Sequence, residues 1–316
     1  MKTFDGVWLP QGPPTLPDLL TLAPGLFPLL PLVASVLAAA YAAGATRLWM
    51  QRRRWPVWRS ACFLLGCLAL AATTGLGLES YGYALLSVFM FQQLTLMMLI
   101  PPLLVLGSPG TLLLRATPHR GLGRAVLRAA HGGLRSRAAR WVLSPWFALP
   151  LSLAAYYGLY LAGLADRILT TTAGHIALEV AFLTAGILFT IPVLTSDPVP
   201  VRLTHAGRAV DIFAEAALHV FFGVLLMMAT TVLVDAFSAP TIALGLDPIA
   251  DQRLAGGLAW SYGEAPTLLV LLYVMHRWFR DDTARAAAAG RYADAHGDPE
   301  LDAYNAYLTR LGQTDT

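Results

Sequence analysis

Seven apolar stretches, each close to the length that crosses a bilayer, constrain this chain more than any other feature. They run approximately over Leu26–Ala45, Trp58–Leu78, Tyr81–Leu106, Trp146–Ala165, Thr172–Leu194, Ala209–Val234 and Ala255–Met275. A helix rises about 1.5 Å per residue and the hydrocarbon core is ~30 Å thick, so ~20 apolar residues make one span. Turns or charges separate the stretches: Arg52-Arg53-Arg54, Glu79-Ser80, Ser108-Pro109-Gly110, Asp166-Arg167, Ser196-Asp197-Pro198 and a loop over Asp235–Arg253. Hydrophobic residues make up 56% of the 316-residue chain and charged residues 13%. A soluble domain carries about twice that charge, so a water-soluble globular protein is excluded. Disorder is excluded for the opposite reason. Two cysteines, Cys62 and Cys67, cannot build a disulfide scaffold or a cysteine-rich metal domain.

The predicted fold is all-α: a seven-helix transmembrane bundle over 26–278, preceded by an extracytoplasmic segment 1–25 and followed by a cytoplasmic tail 279–316. Met1–Pro24 holds Lys2, Asp5 and Asp18 among prolines, without the apolar core of a signal peptide. Arginine and lysine set the orientation. Of 22 basic residues, 19 fall in the first, third and fifth inter-span segments and the tail; Lys2, Arg167 and Arg253 fall on the other side. That asymmetry predicts an outside N-terminus and a cytoplasmic C-terminus.

The segment carrying Arg115, Arg120, Arg124, Arg128, Arg135, Arg137 and Arg140 contains no acid. It reads as a contact with anionic lipid headgroups, or as a dock for an acidic partner. In the tail, Asp298 is expected to cap a helix with Pro299 at its first position. Leu301, Tyr304, Leu308 and Leu311 share one face of that amphipathic helix. The net charge of +3 gives no ground for nucleic acid as a partner.

An ionisable group at bilayer depth costs at least ~2.5 kcal/mol on insertion scales and needs a reason. His175 and Glu179 lie four apart in the fifth span; Asp211, Glu215 and His219 form a stripe in the sixth. Glu264 follows in the seventh, and Gln92 and Gln93 lie in the third. Glu179 and Glu264 fall roughly 10–13 Å below the outer ends of their helices, and Gln93 and His219 near the midplane. These depths predict one buried polar cluster of Gln93, Glu179, His219 and Glu264. It serves either as hydrogen-bonded packing, as a proton path, or as part of a metal site with His175 and His219 as ligands. Met90, Met97, Met98, Met227 and Met228 read first as core and second as copper(I) ligands. No phosphate-binding glycine loop, Cys-x-x-Cys, His-Glu-x-x-His or nucleophile elbow occurs, so no catalytic residue and no enzyme is predicted.

Several stretches together resemble a known family. They are Ser87-Val88-Phe89-Met90-Phe91-Gln92-Gln93, Met97 through Gly107, Gly174-His175 and Asp197-Pro198-Val199-Pro200. Further on come His219 through Val224, Asp251 through Gly257, Trp260 through Pro266, and the tail Ala303-Tyr304-Asn305-Ala306-Tyr307-Leu308. In this order the chain is similar to the multi-spanning, CtaG-like cytochrome c oxidase assembly factors, in an actinobacterial version. The resemblance implies a membrane fold and an oxidase or copper context. It also implies imidazoles that this chain lacks: the family's places for them read Phe89, Gln93, Glu179 and Ala181, leaving His175 and His219. Phenylalanine cannot ligate and an amide suits a soft metal poorly. The expectation is an accessory protein of the respiratory oxidase in the bacterial plasma membrane, meeting oxidase subunits or a supercomplex. Copper is a possible cofactor, with scaffolding favoured over metal delivery. The alternatives are a copper transporter and a non-catalytic subunit of a proton-translocating redox complex.

Overall fold

The computed structural model describes residues 3–4, 7–23, 27–201, 203–297 and 299–314. Asp298, expected to cap the last helix, lies outside the described residues, as do Lys2, Asp5, Leu26 and Arg202. Among the described residues the regular structure is helical apart from a short antiparallel pair, Thr3–Phe4 with Val7–Trp8, in register Thr3↔Trp8, and an isolated bridge between Leu22 and Leu76. The helices that matter below are α1 (Leu29–Met50), α2 (Val57–Gly75), α3 (Gly77–Gly82), α4 (Leu86–Leu94), α5 (Ile100–Leu106), α6 (Pro109–Ala116) and α7 (Leu122–Arg135). After them come α8 (Pro145–Leu153), α9 (Thr172–Leu194), α10 (His205–Met228), α11 (Pro248–Ser261), α12 (Glu264–His296) and α13 (Pro299–Thr314). By internal contacts the chain divides into two units, 1–271 and 272–316.

Among the described residues, six helical runs are long and apolar enough to cross a membrane: Leu29–Met50, Val57–Gly75, Leu86–Ala116, Thr172–Leu194, His205–Met228 and Pro248–His296. The chain is a membrane protein. Two predicted spans differ in form from their expectation. Trp146–Ala165 is α8 followed by a π turn, Ala154–Gly158, and a last turn ending at Leu161, where Gly163 at φ +67° breaks the run. Ala255–Met275 is cut at Tyr262-Gly263 into the end of α11 and the start of α12. The expected loop over Asp235–Arg253 is itself largely helical. Asp247 accepts the amides of Ile249 and Ala250, Pro248 takes the first helical position, and α11 starts there.

Proline chemistry shapes the third span. Pro101 and Pro102 have no N–H for the carbonyls of Met97 and Met98. The backbone there widens into a π turn, Thr95–Leu99, between α4 and α5. Gly186 of α9 crosses at that point; a Cβ on it would stand 2.3 Å from the Met97 carbonyl oxygen. Gly223 of α10 and Gly256 of α11 make a second close crossing, where a Cβ on Gly256 would meet the Gly223 carbonyl at 2.7 Å. Small residues at crossings let backbones approach where lipid offers no hydrophobic drive.

Four side chains tie the helix ends together over long sequence distances. Asp197 accepts the amides of Gly110 (2.9 Å) and Thr111 (2.8 Å) at the start of α6. Ser108, in the cap position itself, sits at φ +50° and makes no capping bond. Asp251 does the same for α4 through Ser87, where the cap position is Leu85. Gln252 holds the segment after α10 by accepting from Leu233 N (2.8 Å) and donating to the Thr231 carbonyl (3.1 Å). Asp166 accepts the amide of Ala236 at 2.9 Å. At the α3 end, Tyr81, Ala84, Leu85 and Leu244 form a small apolar cluster of their own.

The second unit contains the rest of α12 and the helix α13, as the sequence pattern predicts for the tail. Leu301, Tyr304, Leu308 and Leu311 are all exposed.

Candidate functional site

Glu79, His175 and Glu179 form a buried group of one imidazole and two carboxylates. One ligand atom from each lies within 4.8 Å of the others. Two elements bring them together. α3 turns the chain back after α2 and places Glu79 inside. α9 begins at its cap Thr171, which accepts the Gly174 amide at 3.0 Å, so His175 and Glu179 follow on one face one turn apart. The Nε2 of His175 is 3.8 Å from Glu79 Oε1 and 3.9 Å from Glu179 Oε1. Glu79 and Glu179 also share a side-chain hydrogen bond. All three residues are at most 5% exposed.

A layer of neighbours fixes this group. Gln92 donates to Glu79 Oε2 at 2.8 Å and to the Thr73 carbonyl at 3.1 Å. The Tyr83 ring stacks on His175 at 3.9 Å, and Phe89 tilts against it at 5.2 Å. Burial pushes the Glu79 carboxyl up to about 6, against the lowering effect of its bonds with Glu179 and Gln92. His175 Nε2, Glu179 Oε1 and Gln92 Oε1 are buried without a hydrogen-bond partner. A narrow pocket lined by Phe27, Pro31, Thr74, Thr172 and Ile176 reaches both carboxylates.

The four residues expected in one cluster are divided among three groups. Glu179 belongs with Glu79 and His175. Gln93 of α4 bonds instead with the Tyr160 hydroxyl and with the Ala155 carbonyl (3.2 Å) beside the second π turn. His219 of α10 has its Nδ1 3.5 Å from Glu264 Oε1. The His219 ring is fully buried and neither nitrogen has a hydrogen bond, whereas the Glu264 side chain is 37% exposed. Gly263 makes room for the ring: a Cβ there would stand 2.5 Å from His219 Nε2 and 3.1 Å from Met98 Sδ. Glu215, one turn along α10, is buried and lines a cavity of about 30 Å³ with Met97, Met98, Ile212 and Thr267. The physical reason for the division is rotation. Depth along a helix follows from residue count, but the direction each side chain faces depends on crossings such as Gly186 and on the π turns.

Glu79 carries no sequence signal as a site residue. It reads as a turn between spans, and only the fold-back of α3 reveals it. Arg115 also departs from the basic group proposed as a contact surface. It donates to the Arg54 carbonyl (3.2 Å), its own carbonyl accepts from Arg53 (2.7 Å), and its guanidinium lies over Trp55. Arg120, Arg124, Arg128, Arg135, Arg137 and Arg140 are exposed.

Residues 39–281 match the family described as cytochrome c oxidase caa3 assembly factor (Caa3_CtaG). The chain belongs to this family. It is 38% identical over 314 residues to Uncharacterized protein Mb0105 of Mycobacterium bovis (strain ATCC BAA-935 / AF2122/97), which covers 98% of this chain and 47% of that protein. The same figures hold for Uncharacterized protein MT0111 of Mycobacterium tuberculosis (strain CDC 1551 / Oshkosh). Uncharacterized protein ML1998 of Mycobacterium leprae (strain TN) is 35% identical over 284 residues, 89% of this chain and 43% of that protein. The chain spans about half the length of the curated relatives it matches. No solved structure matches it.

In this Caa3_CtaG chain, two of the places expected to hold imidazoles border His175. Phe89 is the ring tilted on it, and Glu179 is its carboxylate neighbour. Copper(I) prefers thiolate and thioether. No sulfur belongs to the Glu79–His175–Glu179 group, and His219 stands in a different group with a carboxylate of its own. The residues around His175 do not fit a soft-metal carrier.

Proposed function

We propose that this chain is an accessory or assembly protein of the respiratory cytochrome c oxidase, acting as a membrane scaffold for oxidase subunits and not as a carrier of copper. The family match over 39–281 carries the reading. Supporting the scaffold form, three buried polar side chains of the bundle serve to join its elements: Gln93 bonds with Tyr160, Gln92 with Glu79 and Asp251 with Ser87. On this reading the chain crosses the bacterial plasma membrane seven times, with its N-terminus outside and its C-terminus in the cytoplasm, and has no catalytic activity of its own. The exposed arginines from Arg120 to Arg140 face anionic headgroups, and the amphipathic α7 lies along the interface.

The test is deletion of the gene in its host, followed by oxidase activity and the oxidase haem spectrum of the membranes. Loss of both, restored by the wild-type chain and equally by a variant with His219→Gln, is the expected result. Normal oxidase in the deletion strain overturns the assignment. Restoration that requires His219 and added copper favours metal delivery instead.

A further inference from the structure

We propose that Glu79, His175 and Glu179 bind one divalent cation of the borderline class, zinc, manganese or ferrous iron. The site is independent of the oxidase reading. Three observations carry it. The first is spacing. A tetrahedral ion with N and O ligands at about 2.0–2.2 Å needs ligand atoms roughly 3.3–3.6 Å apart. His175 Nε2 stands 3.8 and 3.9 Å from its two carboxylate oxygens, a few tenths of an ångström beyond that range, and the ligand atoms of all three residues lie within 4.8 Å of one another. The second is unmet bonding capacity. His175 Nε2 and Glu179 Oε1 are the atoms that would ligate, and both are buried with no hydrogen-bond partner.

The third is charge. Two carboxylates face each other at 5% and 3% exposure, and among the described residues no lysine or arginine pairs with either. A dication neutralises both at once. The surroundings have the form that metal sites use: an outer amide, Gln92, orients the Glu79 carboxylate, and Tyr83 and Phe89 hold the imidazole plane. The narrow pocket bordered by Phe27, Thr172 and Ile176 reaches both carboxylates. The donor set contains no sulfur and two carboxylates, so it selects against copper(I).

The test uses the full chain in detergent, stripped with chelator and titrated with zinc chloride by calorimetry. One zinc ion per chain is expected. Loss of an outer-shell partner alone typically costs ~10–100-fold in metal affinity. Glu179→Gln, which keeps shape and most hydrogen bonding, should therefore weaken zinc by at least about a hundredfold. Cobalt(II) in place of zinc gives a second readout: visible bands of low-symmetry cobalt, absent from Glu79→Gln. X-ray absorption on the wild-type zinc form needs no variant to fold. It should show oxygen and nitrogen neighbours with one imidazole. Absence of saturable zinc binding, sulfur in the zinc shell, or affinity unchanged by Glu179→Gln in a folded variant overturns the proposal in favour of two carboxyl groups sharing a proton.

Discussion

Asp251 accepts the hydroxyl and the backbone amide of Ser87, a residue 164 positions earlier in the chain. A helix start needs its first amides satisfied, and Leu85 in the cap position has no group to do it. Asp251→Ala should therefore lower stability in detergent by about 1–3 kcal/mol, because it strands buried donors. Asp251→Asn should be milder. Thermal unfolding of the two variants checks this; equal midpoints for Asp251→Ala and the parent would show that α4 does not depend on the bond.

Asp197 is the second such remote cap, serving Gly110 and Thr111. Cap removal costs about 0.5–2 kcal/mol. Asp197→Ala should fall in that range and expose α6 and the α5–α6 corner to proteolysis, with the other helices unaffected. Hydrogen exchange over residues 107–116 is the measurement; unchanged protection would contradict it.

Two adjacent glycines of α11 give an internal control. A Cβ on Gly256 meets the Gly223 carbonyl and the Met227 amide at 2.7 Å, whereas a Cβ on Gly257 has nothing within 4 Å. Gly256→Ala should destabilise by roughly 1–3 kcal/mol through overpacking. Gly257→Ala should leave stability equal or raise it by up to about 1 kcal/mol, through better helix propensity. The reverse order would mean that α10 and α11 do not cross as closely as described.

Glu264 sits beside His219 with part of its side chain exposed. As a scaffold element it should tolerate Glu264→Gln with less than about 0.5 kcal/mol of loss, while Glu264→Leu removes the carboxylate 3.5 Å from a buried imidazole and costs on the order of 1 kcal/mol. Host membranes carrying Glu264→Gln should keep full oxidase activity. Loss of activity with normal stability would assign the pair to proton relay.

Orientation is open to direct measurement. A reporter fused after Thr316 should be active only in its cytoplasmic form, as the distribution of arginines requires. Periplasmic activity would reverse the topology.

Much of this architecture is legible in the residues alone. Apolar length locates the long helices, and the rarity of charge in those stretches singles out His175, Glu179, His219 and Glu264. Their grouping was not legible, for reasons visible at particular residues. Glu79 enters the site through the fold-back at α3, a tertiary event with no local pattern. Gln93 turns to Tyr160 while its neighbour Gln92 turns to Glu79, because adjacent helical residues face about 100° apart. The start of α11 was legible in Asp247-Pro248, a cap followed by proline, yet the polar run Asp251-Gln252-Arg253 just after it reads as loop. Asp251 and Asp197 look like loop acids in the sequence; what they cap is fixed only by packing.

The π turn at Thr95–Leu99 has a consequence for how such chains tolerate insertion and deletion. It holds one residue more than the regular helix needs between the α4 face bearing Gln92 and the α5 face whose Leu103 and Leu104 pack on Gly66. Deleting a single residue within 95–99 would take out that extra residue and keep both faces in phase. The same deletion a turn earlier, inside α4, would swing Phe89 and Met90 out of the interior. Length variants of this span that still insert and fold should thus carry their gap between Leu94 and Ile100.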